Sequence, residues 1–184
     1  SMSGRLFCIL GPSGSGKDSL LNELRGRAPH IKIVKRYITR PTGNDDEDHY
    51  YLCPQSFDRH ITEGEFLFTW RAHGLSYGIP ISCLDYVRGG QDVVFNGSRT
   101  ALEEMKLIFP DLQVIWISVS IEILAGRLRQ RGREPEQQIL ERLNRKGPKP
   151  PKNAIIINND GTIDQAAEAL SACFSYPAAH VQSE

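Results

Sequence analysis

The plainest chemistry in this sequence lies in Gly11-Pro12-Ser13-Gly14-Ser15-Gly16-Lys17-Asp18. Glycines at these intervals let the main chain curl until successive N–H groups point into one concavity. The lysine that follows adds a reaching positive charge, so the stretch can cradle a polyphosphate. Such a loop works between a buried strand and a helix whose positive end faces the anion. Both flanks are present: the apolar run Leu6 to Leu10 precedes it, and a helical pattern from Asp18 to Arg27 follows. A plain Gly/Ser turn before a helix is the alternative, and the order of strand, loop and helix speaks against it. Asp18 stands where the usual pattern has a Ser or Thr hydroxyl for Mg²⁺, with Ser19 one residue later. One step along a helix rotates a side chain by about 100°, so Ser19 is no simple replacement. Asp18 either binds the metal, directly or through water, or only favours the positive helix end.

Two further clusters are cationic. Arg127, Arg129, Arg131, Arg133 and Arg142 lie on two helical segments around an Arg131-Gly132-Arg133 hinge. For Arg129 a solvated helix face is the better account. Arg131 and Arg142 suit a mobile lid that brings positive charge to a phosphoryl group and excludes water. The other cluster gathers Arg36, Tyr37, Thr39, Arg40, His49, Tyr50, Arg71, His73 and Tyr77, with Asn96-Gly97-Ser98-Arg99 after a strand. Arginine forks of this kind suit a small, highly anionic acceptor. The tyrosines either line that site or pack with their hydroxyls outward. His49 and His73 show no metal-ligand spacing and are polar liners at most.

The elements that must position these groups alternate. Leu6–Leu10, Asp92–Asn96, Gln113–Val119 and Ala154–Asn158 read as buried strands; Asp18–Arg27, Arg99–Phe109, Ile121–Arg131, Glu134–Lys146 and Ile163 to about Phe174 read as helices. That alternation predicts an α/β fold with a central parallel sheet. The region from Lys32 to Tyr77 breaks it, with strands at Ile33–Ile38 and Phe66–Arg71 around a polar, turn-rich middle, and reads as an inserted lobe. At 184 residues the expectation is a single domain, 1–184, with a lobe at 32–78 and a lid at 127–146.

Lys plus Arg equals Asp plus Glu at 22 each, so no basic footprint for nucleic acid exists. Cys8, Cys53, Cys83 and Cys173 are too scattered for a zinc site or disulfide framework, which fits a reducing cytoplasm. No apolar run approaches the ~20 residues that span a bilayer, so neither membrane nor nucleic acid is an expected partner.

Over nearly its whole length the chain resembles the guanylate kinase-like branch of P-loop kinases. The pieces come in family order: Gly11 to Lys17, Thr39-Arg40-Pro41, His49-Tyr50, Tyr77-Gly78, Arg131 with Arg142, and Asn158-Asn159-Asp160. The resemblance implies a three-layer sandwich with an arginine-bearing lid. It implies that Gly11, Pro12, Ser13, Gly14, Ser15, Gly16, Lys17, Asp18 and Ser19 hold ATP with Mg²⁺, that Asn159 borders adenine, and that Lys17, Arg131 and Arg142 are catalytic. Arg40 and Tyr50 then grip the acceptor phosphate. The guanine-reading glutamate and serine of that branch are replaced by Thr69 and Ile79, and its second phosphate-gripping arginine falls near Gly43. Losing such polar readout is a heavy specificity penalty for guanine. Gly-Lys-Asp-Ser, Arg36-Tyr37-Ile38-Thr39-Arg40, Tyr77-Gly78 and Asn96-Gly97-Ser98-Arg99 resemble instead the ribose 1,5-bisphosphate phosphokinase family of bacterial phosphonate metabolism. The implied activity is transfer of the ATP γ-phosphate to the 1-phosphate of ribose 1,5-bisphosphate, with Arg36, Arg40, Tyr50, Tyr77 and Arg99 holding a phosphorylated sugar. A nucleoside monophosphate kinase is the enzymatic alternative, and a non-catalytic scaffold domain is the other. A signalling GTPase is disfavoured by the absence of an Asn-Lys-x-Asp segment.

Overall fold

The computed structural model of the chain describes residues 3–40, 45–46, 48–132 and 149–175. In chain order the elements are β1 (Leu6–Leu10), α1 (Lys17–Arg27), β2 (Lys32–Ile33), β3 (Arg36–Ile38), β4 (His49–Tyr51) and α2 (Pro54–Thr62). There follow β5 (Phe66–Ala72), β6 (Leu75–Pro80), α3 (Cys83–Arg88), β7 (Val93–Asn96), α4 (Leu102–Ile108), β8 (Gln113–Ser118), α5 (Ile121–Arg131), β9 (Ile155–Asn158) and, numbered here as the sixth helix, α6 (Ile163–Ala172). The expected α/β class and central parallel sheet are found: five strands run in the order β2-β7-β1-β8-β9. β1 and β7 carry the sheet's core, since Leu6, Phe7, Cys8, Ile9, Val93, Val94 and Phe95 are all but inaccessible to water. Continuous apolar strands are what a parallel sheet covered on both faces requires. No helix among the described residues is long and apolar enough to cross a membrane.

The chain divides into two compact units, the first built on residues 29–113 with the start of β1, the second on residues 9–28 and 114–176. The first unit holds a four-stranded sheet in the order β4-β3-β6-β5. β5 and β6 form a hairpin closed at His73 and Gly74, both at positive φ (54° and 74°), the geometry of a tight two-residue turn. In the second unit α1 packs with α6, whose N-terminus is fixed by a reciprocal capping box between Thr162 and Gln165.

Several boundaries differ from the sequence reading. The strand expected over Ile33–Ile38 is two strands: Lys32 and Ile33 pair with β7, whereas Arg36–Ile38 joins the four-stranded sheet. A uniform β-prone run cannot reveal that its halves belong to different sheets. The helix expected from Arg99 begins at Leu102, because residues 98–101 form turns, Ala101 N–H donating to the Ser98 carbonyl at 3.2 Å. The polar middle of the lobe contains α2, started by Pro54 at its first turn and anchored by buried Phe57. The helix expected over Glu134–Lys146, and with it Arg133 and Arg142, lies outside the described residues.

Candidate active site

The glycine-rich loop after β1 is held through its main-chain carbonyls by side chains from α5 and from the end of β9. After β1 the chain turns through Gly14 and Gly16 at φ 84° and 87°, conformations natural only to glycine. The turn is pinned by Ser15 N–H donating to the Pro12 carbonyl at 3.0 Å. Gly16 then starts α1 without any side-chain cap, and the positive end of that helix favours an anion. A methyl on Gly16 would lie 2.5 Å from Asn159 Nδ2, and one on Gly11 2.7 Å from Ser15 Oγ. Ser15 Oγ is buried in this fold without a hydrogen-bond partner.

Two side chains hold the loop's carbonyls. Asn159, buried after β9, donates Nδ2–H to the Ser15 carbonyl at 2.7 Å. Arg127, from α5, donates Nη1–H to the carbonyls of Gly14 (3.4 Å) and Ser15 (3.3 Å) and Nη2–H to that of Asn159 (2.7 Å). Sequence reasoning counted Arg127 only among a run of arginines. Its signal, one helical turn before Arg131, is intelligible only once α5 and the loop are seen together. Asn159 was expected beside adenine; its amide is directed at the loop itself.

Pro12 and Ser13 form the loop's outer arc, Lys17 is half-buried at the first helical position, and Asp18 and Ser19 are exposed beside it. Among the described residues no group of three or more His, Cys, Asp or Glu could hold a metal ion. Mg²⁺ is commonly bound through one or two carboxylates plus substrate phosphates and waters, and Asp18, exposed in the first turn of α1, is a carboxylate of the kind such an ion accepts. Arg131 is the last residue of α5.

The first unit builds the other group of candidates on β3, β4 and β6. Arg36 donates Nη1–H to the Asn96 carbonyl at 3.3 Å and Nη2–H to His49 Nε2 at 3.2 Å. Its guanidinium carbon lies 5.0 Å from the Tyr77 ring centroid, and Tyr77 stacks on its cross-strand neighbour Trp70 at 5.3 Å and 3°. Tyr50 meets Tyr37 at 4.7 Å between ring centroids and carries Lys35 Nζ 4.1 Å from its own. Burial, with Tyr50, Glu65 and Asp45 beside it, raises the Tyr37 hydroxyl's pKa. Arg40, at the exposed end of this segment, bonds the Tyr51 hydroxyl. Arg99 is exposed in the turn after β7. Thus Arg36 and Tyr77 are brought together, Tyr50 joins Tyr37, and Arg40 and Arg99 sit at separate loop positions.

Sequence reading took His49 for a polar liner at most and did not single out Asp46, whereas the structure sets them side by side, with His49 against Arg36. Burial opposes ionisation of Asp46, but bonds from the Tyr51 hydroxyl and from the N–H groups of Asp48 and His49 prevail and bring its pKa down to about 2. The positions replacing the guanine readers are equally informative. Ile79 is fully buried, and Thr69 is exposed opposite Gly78. A Cβ on Gly78 would strike the Phe66 ring at 2.5 Å, so that ring packs on bare backbone.

The guanylate kinase family profile matches residues 3–176. A ribose 1,5-bisphosphate phosphokinase PhnN of Chromobacterium violaceum is 42% identical over 91% of this chain and 92% of its own length. One of Pantoea vagans is 44% identical over 86% and 90%. The solved guanylate kinase of Anaplasma phagocytophilum superposes with a TM-score of 0.67 at 19% identity, covering 100% of this chain and 89% of that one, a likeness of fold. The chain therefore belongs to the guanylate kinase family, has the α/β architecture of P-loop kinases, and sits within that family among the ribose 1,5-bisphosphate phosphokinases.

Proposed function

We propose that this chain transfers the γ-phosphate of ATP to the 1-phosphate of ribose 1,5-bisphosphate, giving 5-phosphoribosyl 1-diphosphate and ADP, as a cytoplasmic enzyme of phosphonate metabolism. The observation that carries the reading is the make-up of the acceptor cluster: Arg36 fixed over Tyr77, with buried Ile79 and exposed Thr69 in place of base-reading groups. The names of the relatives at 42% and 44% identity support it.

The chemistry asks little of a general base, because the attacking group is already an oxyanion. An oxygen of the 1-phosphate forms a bond to the γ-phosphorus as the bond from that phosphorus to the β-phosphate oxygen breaks, and ADP leaves with the electron pair. The obstacle is repulsion between two anions, so the protein's work is positioning and neutralisation. The main chain of the Gly11 to Gly16 loop and the Lys17 ammonium hold the β- and γ-phosphates, and Asn159 with Arg127 keeps that loop in shape. Asp18 would hold Mg²⁺, with Ser19 near; the ion supplies charge neutralisation on the phosphates. Arg131 and Arg142 would neutralise the travelling phosphoryl group from a lid spanning 127–146 of a single 1–184 domain. Arg36, Arg40, Tyr50, Tyr77 and Arg99 hold the sugar's two phosphates, within the lobe at 32–78 and the turn after β7.

The test is a panel of acceptors with ATP and Mg²⁺, scored by ADP release. Ribose 1,5-bisphosphate is expected to exceed GMP and other nucleoside monophosphates in kcat/KM; GMP in the lead would reassign the chain to the nucleotide kinases. Absence of ATP turnover with every acceptor would point to a scaffold domain.

A further inference from the structure

We propose that His49 and Asp46 are positioning residues that fix Arg36 for its grip on an acceptor phosphate, and that they do so only while the His49 ring is uncharged. This rests on the acceptor being the anionic compound proposed above. β3 and β4 run parallel with Arg36 and His49 as register partners, so the two side chains are neighbours by construction. Arg36 Nη2 is 3.2 Å from His49 Nε2. A guanidinium has only donors and keeps its charge, so Nε2 must accept and the single ring proton must sit on Nδ1. Nδ1 lies 3.4 Å from Asp46 Oδ1. Asp46 is itself immobilised, its Oδ1 accepting the N–H of Asp48 at 2.8 Å and of His49 at 2.7 Å, its Oδ2 the Tyr51 hydroxyl at 2.9 Å.

Carboxylate, imidazole and guanidinium thus form a line in which each member sets the next. The Asn96 carbonyl and the Tyr77 ring also contact Arg36. An arginine oriented in this way offers its charge at one place and in one plane, which a bidentate phosphate bond requires. The charged groups facing the His49 ring are Arg36 from β3 and Asp46 and Asp48 from the segment before β4, with the Tyr51 ring at 5.9 Å. Burial and Arg36 lower the ring's pKa, and the two aspartates oppose them without prevailing. Protonation would set a donor against a donor and a cation against a cation at Nε2, and the line would cease to support Arg36.

The experiment measures acceptor KM, ATP KM and kcat between about pH 5 and 8 for the wild type and for His49→Gln, whose amide oxygen can accept from Arg36 but does not titrate. The acceptor's own second phosphate ionisation, near pH ~6, bends both profiles alike. Acceptor KM of the wild type is expected to rise about tenfold more than that of His49→Gln on acidification, with ATP KM and kcat moving in parallel. Arg36→Ala should raise acceptor KM at neutral pH by about tenfold or more and leave ATP KM in place. Nitrogen-15 NMR of the substrate-free wild type should find the His49 proton on Nδ1 at pH 7. Equal pH slopes, an unchanged acceptor KM in Arg36→Ala, or a proton on Nε2 would each overturn the proposal. If ribose 1,5-bisphosphate is simply not an acceptor, the functional reading fails, while the NMR result still decides the tautomer on its own.

Discussion

On the proposed function, the two units would hold anions by opposite means. In the second, the loop from Gly11 to Gly16 offers main-chain amides, and the side chains of Arg127 and Asn159 serve to grip its carbonyls from outside. In the first, the proposed recognition falls to side chains on short strands, Arg36 above all, which His49, Tyr77 and the Asn96 carbonyl contact. A backbone cradle suits any polyphosphate, because amides cannot be exchanged by mutation and read charge and spacing alone. A side-chain cluster can be reassigned one residue at a time, and the replacement of base-reading groups by Thr69 and Ile79 is such a change. Common scaffold and variable acceptor thus have a physical origin in what each unit uses for contact.

The sharpest way to break this contrast is Lys17→Ala. Lys17 is the one side chain of the cradle expected to touch the transferred phosphate. Its loss should lower kcat about 10²–10³-fold, the scale of removing one preorganised charge or donor from a phosphoryl or acyl transfer site. The fold and the acceptor KM should persist, as circular dichroism and steady-state kinetics would check. Turnover close to wild type in a folded protein would mean that the amides suffice.

Arg127→Ala probes the hidden half of the cradle. It removes the donors to Gly14, Ser15 and Asn159 without touching a loop residue. Charge-assisted bonds of this kind contribute about 1.5–3 kcal/mol, so ATP KM should rise by about tenfold or more while acceptor KM stays level. An equal rise in both constants would show that Arg127 supports the whole domain and not the loop alone.

The same contrast explains what could be read before the structure. β1 and α5 were placed to the residue because a five-residue apolar run before Gly11, and Ser120 followed by an amphipathic run ending at Gly132, are local signals. The cradle was legible for the same reason, its glycine spacing being the mechanism. Arg36, His49 and Asp46 depend on β3 lying parallel to β4, a pairing between residues separated by a long polar segment, and no local pattern encodes that register. The Tyr77–Trp70 stack was likewise invisible, since no strand was foreseen at β6. What the residues do to the backbone could be read; what side chains do to one another across strands could not.

The smallest expected effect sharpens the side-chain half of the comparison. Asp46 titrates at about 2 in the folded chain, against ~3.9 for an unfolded aspartate. A depressed folded pKa means that the carboxylate's contribution to stability is complete above the unfolded value and disappears as pH falls from about 4 to about 2. The group is half exposed, so solvent screening holds this to under about 1 kcal/mol. Urea unfolding of the wild type and Asp46→Asn should therefore differ slightly at pH 6 and converge toward pH 2. A gap that stays constant across the range would mean that the Tyr51, Asp48 and His49 bonds do not depend on the charge, and that Asp46 shapes the segment before β4 as a neutral acceptor would.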